Sequence, residues 1–134
     1  MRAEREGQCI VDTSALLALL LKEPGAEVVL DHMRQSSCII TLVNYCEVLT
    51  KLFELTFPID EFDAVFSALP LTLVEVNREM ARFAAALRPS TKHIGLSLGD
   101  RFCIACAFYY KGTALTADKC WKSIEVGVPI EFIR

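Results

Sequence analysis

A chain of 134 residues has room for one domain and can bury roughly two-thirds of the surface its unfolded form exposes. Hydrophobic residues make up 53% of it, enough for a full core with apolar material left over for an interface. Its 14 basic and 17 acidic residues leave a formal charge of −3, which disfavours a protein that coats nucleic acid by charge alone. A protein that meets phosphates through bound cations stays open, because the ions bring the positive charge. The six cysteines come without a secretory signal, in a chain too apolar to need covalent staples. A soluble, reduced, cytoplasmic protein is expected, with no membrane association.

Residues 1–7 are polar and charged and read as a flexible N-terminal extension, with 8–134 forming a single domain. Cys9-Ile-Val-Asp12 reads as a short buried strand, followed at once by a helix over 15–21 that is too short to span a bilayer. Pro24-Gly25 breaks that helix, and Ala26, Val29, Leu30 and Met33 then recur at helical spacing. A second strand is expected over 37–41, with Thr41 as the N-cap of a helix whose core face carries Leu42, Tyr45, Cys46, Leu49, Leu52 and Phe53. Pro58 opens another helix, with Ile59, Phe62, Phe66 and Leu69 inward, and Pro70 closes it. A third strand over 71–76 leads to Asn77, which caps a helix striped by Met80, Phe83, Ala84 and Leu87. The stretch 88–99 reads as irregular, and 102–110 as a helix buried on most sides that Gly112 ends. Strands over 113–116 and 129–133 complete the pattern. Strands alternating with helices predict an α/β fold, a three-layer α/β/α sandwich around a short, mainly parallel sheet.

Four acids stand where such a chain passes between elements or on a helix wall: Asp12, Glu47, Asp100 and Asp118. Each has an ordinary explanation. Asp12, Thr13 or Ser14 would cap the first helix, and Glu47 would pair with Lys51 one turn on. Ser97-x-x-Asp100 matches a capping box, and Asp118 suits a turn. The set is more persuasive than its members. Asp12 sits at the carboxyl end of the first strand, where open α/β sheets place ligands, and Asp118 repeats that placement after the fourth. Carboxylates gathered in one cleft raise each other's pKa unless a divalent cation joins them.

The segments Ile10-Val-Asp-Thr-Ser-Ala15, Asn44-Tyr-Cys-Glu-Val-Leu-Thr-Lys51, Leu96-Ser-Leu-Gly-Asp-Arg101 and Leu115-Thr-Ala-Asp-Lys-Cys-Trp121 resemble, in order and spacing, the successive motifs of PIN-domain ribonucleases. In detail they are most similar to the VapC toxins of prokaryotic toxin–antitoxin pairs, over essentially the whole chain. The resemblance implies a metal-dependent endoribonuclease whose metal-site acids are Asp12, Glu47, Asp100 and Asp118. They would hold one or two Mg²⁺ or Mn²⁺ ions for in-line phosphodiester cleavage, with Asp12 and Asp100 as direct ligands and Glu47 and Asp118 acting through water or completing a second site. The family's hydroxyl after the first Asp falls on Ser14 or Thr13, and Thr116 holds the one before the last Asp. Where some PIN proteins carry a further acid or Asn, this chain has Cys120 and Trp121. The resemblance also implies an RNA substrate (tRNA or rRNA), a VapB-type antitoxin and a homodimer.

Other features weigh less. Arg101 and Lys92, with Arg88 and His93, form a basic neighbourhood around Asp100 and are candidate contacts to an RNA backbone, against the bland reading of a solvated loop. Cys103-x-x-Cys106 lies inside an apolar helix without a second pair, so packing is favoured over zinc. His32 and His93 are isolated. Two rival functions remain at this stage: a phospho-acceptor or phosphatase domain using Asp12, which lacks the adjacent acidic pair or Asp-x-Asp such domains want, and a non-catalytic binding module whose acids only cap helices.

Overall fold

In a computed structural model that describes residues 8–134, short strands alternate with helices along the chain; the extension expected at 1–7 lies outside the described residues. The order is β1 (Cys9–Val11), α1 (Thr13–Leu20), α2 (Ala26–Gln35), β2 (Cys38–Thr41), α3 (Leu42–Glu54), α4 (Ile59–Ala68), β3 (Thr72–Val74) and α5 (Arg78–Ala86). There follow a single turn α6 (Arg88–Thr91), a 3₁₀ turn (Lys92–Ile94), α7 (Leu98–Tyr110), β4 (Thr113–Thr116), a second 3₁₀ turn (Lys119–Ser123) and β5 (Ile130–Phe132).

All four strand pairings are parallel, and the sheet runs β3-β2-β1-β4-β5. Because side chains alternate along a strand, β1 feeds both faces. Cys9 and Val11 join a core with Val29, Val48, Leu52 and Phe62 from α2 to α4, while Ile10 joins Met80, Ala84 and the buried run Phe102–Ala107 of α5 and α7. A parallel sheet covered on both faces is thus a three-layer α/β/α sandwich, as the alternation of elements predicts. β1 connects onward to β2 on one side and is flanked by β4 on the other, so the switch in strand order falls between β1 and β4. Ligands of open parallel sheets bind at the carboxyl ends of strands beside such a switch.

Local chemistry accounts for most boundaries. Thr41 caps α3 by accepting from Asn44 N at 3.0 Å, and Asn77 caps α5 by accepting from Met80 N at 2.9 Å. Three expectations need correction. The buried stripe of α3 is Asn44, Val48 and Leu52, whereas Leu42, Cys46 and Phe53 are exposed; the apolar residues of this helix span two faces, and the core took the one that includes an asparagine. The stretch 88–99 holds α6, a 3₁₀ turn and the start of α7. Finally, Lys111 rather than Gly112 takes the left-handed conformation that ends α7, with φ of 57°. Gly112 is needed for space: a Cβ there would lie 2.6 Å from Ile10 Cδ1 and 2.7 Å from the Gln8 carbonyl oxygen.

Candidate active site

Asp12 follows β1 directly and caps α1, with Ser14 N donating weakly to its Oδ2 at 3.4 Å. The capping role is therefore real, but it is the smaller part of what this carboxylate does. The hydroxyls of Ser14 and Thr116 both approach Oδ2, at 2.8 and 2.9 Å, and lie 3.1 Å from each other. Two hydroxyl protons serve these three contacts; with both directed at Oδ2, none is left between Ser14 and Thr116. Backbone groups aim the hydroxyls, since Ala117 N donates to Ser14 Oγ at 2.9 Å and Asp118 N to Thr116 Oγ1 at 3.1 Å. The pairing of β1 with β4 brings these partners together across the switch point. Oδ1, by contrast, receives one long approach, from Asn44 Nδ2 at 3.4 Å.

Asp12 is 1% exposed, and its carboxyl is pushed up to about 7, first by burial and then by the Asp100 charge, against the hydrogen bonds from Ser14, Thr116 and the Thr13 N–H. Asp100 sits in the first turn of α7, and both arms of the capping box form: Ser97 N donates to Asp100 Oδ2 at 2.8 Å and Asp100 N to Ser97 Oγ at 3.1 Å. Its pKa is nevertheless raised, by burial first and also by the charges of Asp118 and Glu47, with the Ser97 bonds opposing. Cap and cleft are not alternatives here. The box fixes Asp100 at a helix mouth where three other acids surround it.

Glu47 does not make the pair with Lys51 that its spacing suggests; among the described residues its hydrogen-bond partner is Thr13, whose Oγ1 donates to Oε1 at 2.8 Å. The carboxylate lies over Gly99, and a Cβ at that position would overlap it. Asn44, one turn before Glu47 and fully buried, donates to Thr13 Oγ1 at 2.9 Å and to the Gly99 carbonyl at 3.1 Å. Asp118 caps the 3₁₀ turn by accepting from Cys120 N at 2.9 Å. Beside Glu47, a groove of about 300 Å³ is lined by Thr13, Leu17, Thr50, Lys51 and Glu54.

The donor set is all hard oxygen: four carboxylates and the hydroxyls of Thr13, Ser14 and Thr116. That chemistry fits Mg²⁺ or Mn²⁺ rather than a softer ion. Asp12 Oδ1 is a buried oxygen short of partners, which is where a cation would be welcome. Among the described residues, however, no three His, Cys, Asp or Glu side chains stand ready to share one ion. Asp12 and Asp100 are each held by their own hydrogen bonds, to Ser14 and Thr116 and to Ser97. The four acids share an electrostatic neighbourhood without closing around a point.

The basic candidates behave differently. Arg101 Nη1 donates to the Ala84 carbonyl at 3.1 Å, and Nε is buried without a partner among the described residues, so this side chain ties α7 to α5. Lys92 is exposed in the 3₁₀ turn. All six cysteines are free, with Cys103 and Cys106 buried in α7, and His32 is bound to Glu131 at 2.7 Å. Sequence reasoning gave Asn44 no role beyond a place on the helix flank. Its signal was phase: it shares the buried face with Val48 and Leu52 and stands three residues before Glu47.

A family model described as PIN domain matches residues 9–126. No curated protein matches the chain. Among solved structures it is similar to a toxin–antitoxin complex from Klebsiella pneumoniae, at 19% identity and a TM-score of 0.70, covering 94% of this chain and 98% of that one. It is also similar to DNA-bound VapBC from Salmonella typhimurium (14%, 0.73, 96% and 99%) and to VapBC-1 from nontypeable Haemophilus influenzae (15%, 0.68, 94% and 98%). At these identities the likeness is one of fold.

Proposed function

The chain belongs to the PIN domain family, and from that premise we propose that it is a Mg²⁺- or Mn²⁺-dependent endoribonuclease, the toxin of a VapBC-type pair. One observation supports the reading: Asp12 and Asp100, 88 residues apart in sequence, both have raised pKa values beside the switch point of the sheet, Asp12 through burial and the Asp100 charge, Asp100 through burial and the charges of Asp118 and Glu47. Structural caps have no need of such an arrangement. Perturbed carboxyls that share one neighbourhood are what metal-assisted hydrolysis draws on.

Asp12, through Oδ1, and Asp100 would hold the cation, with Glu47 and Asp118 beside them to complete its surroundings. The ion supplies positive charge to a phosphodiester and makes water acidic enough to yield a nucleophile near neutral pH. The chain's own residues prepare the ground. Ser14 and Thr116 hold Oδ2 and so turn Oδ1 inward; Ser97 anchors Asp100; Thr13 orients Glu47. Burial of Asp12 keeps bulk water from competing for that oxygen.

The toxin–antitoxin complexes that share the fold support a setting in which a VapB-type antitoxin restrains the nuclease. In this proposal the substrate is tRNA or rRNA and the protein works in the cytoplasm. Exposed Leu42, Phe53, Phe108 and Tyr109 offer apolar surface for a homodimer. To test the activity, purified protein freed of any partner and of metal is incubated with RNA, with and without Mn²⁺ or Mg²⁺. Cleavage is expected only with the ion, and Asp100→Asn should lower it by at least about a hundredfold while the thermal melt stays cooperative. Equal cleavage by the variant, or cleavage in the presence of chelator, would overturn the assignment.

A further inference from the structure

The buried amide of Asn44 sits where four elements meet, and its orientation is fixed by chemistry. Thr41 Oγ1 accepts from Asn44 N at 3.0 Å and so turns its own hydrogen to Asn44 Oδ1 at 2.7 Å. The Gly99 carbonyl can only accept, so the group facing it at 3.1 Å must be the amide NH₂. The second amide hydrogen goes to Thr13 Oγ1 at 2.9 Å. With its lone pair engaged, Thr13 directs its single hydrogen to Glu47 Oε1 at 2.8 Å rather than to the Asn44 carbonyl 3.5 Å away. One directed chain therefore runs from Thr41 through Asn44 and Thr13 to Glu47. The same amide holds the backbone of Gly99, next to Asp100, and lies 3.4 Å from Asp12 Oδ1.

We propose that Asn44 is a positioning residue of the metal site: it is not a ligand, but it sets Glu47 through Thr13. This rests on the reading of Asp12, Glu47 and Asp100 as metal-site acids. The residue type is explained by the task. Aspartate would add a further negative charge to the cleft and lose both donors; leucine would fill the space and leave Thr13 free to turn away from Glu47. Glutamine would push its amide past all three partners. Outer partners of this kind orient ligands and typically govern affinity about tenfold or more.

The test is Mn²⁺ affinity by titration calorimetry on full-length protein, compared for the parent, Asn44→Ala, Glu47→Gln and the double variant, with thermal melts of the metal-free forms alongside. Asn44→Ala is expected to weaken Mn²⁺ binding by about tenfold, and to add less than about twofold once Glu47 is already Gln, because it acts through that carboxylate. Thr13→Val, which removes the hydroxyl between Asn44 and Glu47 at a half-buried position, should repeat the pattern and serves if Asn44→Ala fails to fold. Unchanged affinity in the folded Asn44 or Thr13 variant, or losses that simply multiply in the double variant, would overturn the proposal while leaving the nuclease assignment standing. A parent protein that binds no Mn²⁺ would sink both.

Discussion

Replacing Asp12 by Asn should make the metal-free protein more stable at pH 8. A carboxyl whose ordinary pKa is 3.8 titrates near about 7 in the fold, so the folded state holds a proton that the unfolded chain has released. Below about pH 4 both states carry it and nothing is lost. Between about 4 and 7 the folded state binds more protons than the unfolded one, so stability falls as pH rises and levels off above about 7. The full span is worth about 4 kcal/mol, or about 2 kcal/mol if the side chain relaxes once charged. Asn keeps an oxygen for the Ser14 and Thr116 hydroxyls and removes the charge. Urea denaturation in chelator at pH 5.5 and pH 8 would show the parent losing stability across the interval and the variant losing less, with only the Asp100 contribution left. At pH 8 the variant should melt on the order of 10 °C higher. Mn²⁺ should raise the parent's melting temperature and leave the variant's nearly unmoved. A variant that is less stable than the parent at pH 8, or that keeps the parent's slope, would mean that Asp12 acts as a plain helix cap neutralised by something other than a cation.

Two further substitutions separate activity from stability. Gly99→Ala places a methyl against the Glu47 carboxylate, a flexible group that swings away; the alanine favours the helix by about 1 kcal/mol, so the melt should hardly change while RNA cleavage drops by about a hundredfold. Full activity in that variant would show that Glu47 needs no fixed seat. Trp121 is buried with Nε1 lacking a partner among the described residues, so Trp121→Phe relieves an unpaired donor as it removes apolar area. Its cost in denaturation should stay under about 1.5 kcal/mol, against about 3–5 kcal/mol for Trp121→Ala, and equal losses would point to a hydrogen bond at that indole.

Much of this architecture could be read from the chain because the relevant signals are local. Asn77, Thr41 and the Ser97-x-x-Asp100 box announce helix starts through groups that bond within three residues of themselves. The buried run of α7 declares itself by being apolar nearly all round. Long-range chemistry was harder. Nothing near Glu47 reveals that its partner is Thr13, 34 residues away, when Lys51 waits one turn on. The inward face of α3 was misjudged for the same reason: counting apolar residues favoured Leu42, Cys46 and Phe53, whereas the fold spends the buried face on Asn44, whose three partners belong to other elements. Arg101, whose sequence neighbours suggest a solvated loop or a backbone contact to RNA, donates to a carbonyl 17 residues back, a partner no local pattern announces.

The central strand, β1, gains its second neighbour only when β4 arrives, more than a hundred residues later, and Thr116 then supplies a hydroxyl that Asp12 lacks until that moment. Residues as far as Thr116 must therefore be made before Asp12 has its full set of hydroxyl partners. Contacts so distant in sequence also close slowly. On the proposed reading, the chain acquires its cutting site only after β4 has paired, and a restraining partner has that interval in which to reach it.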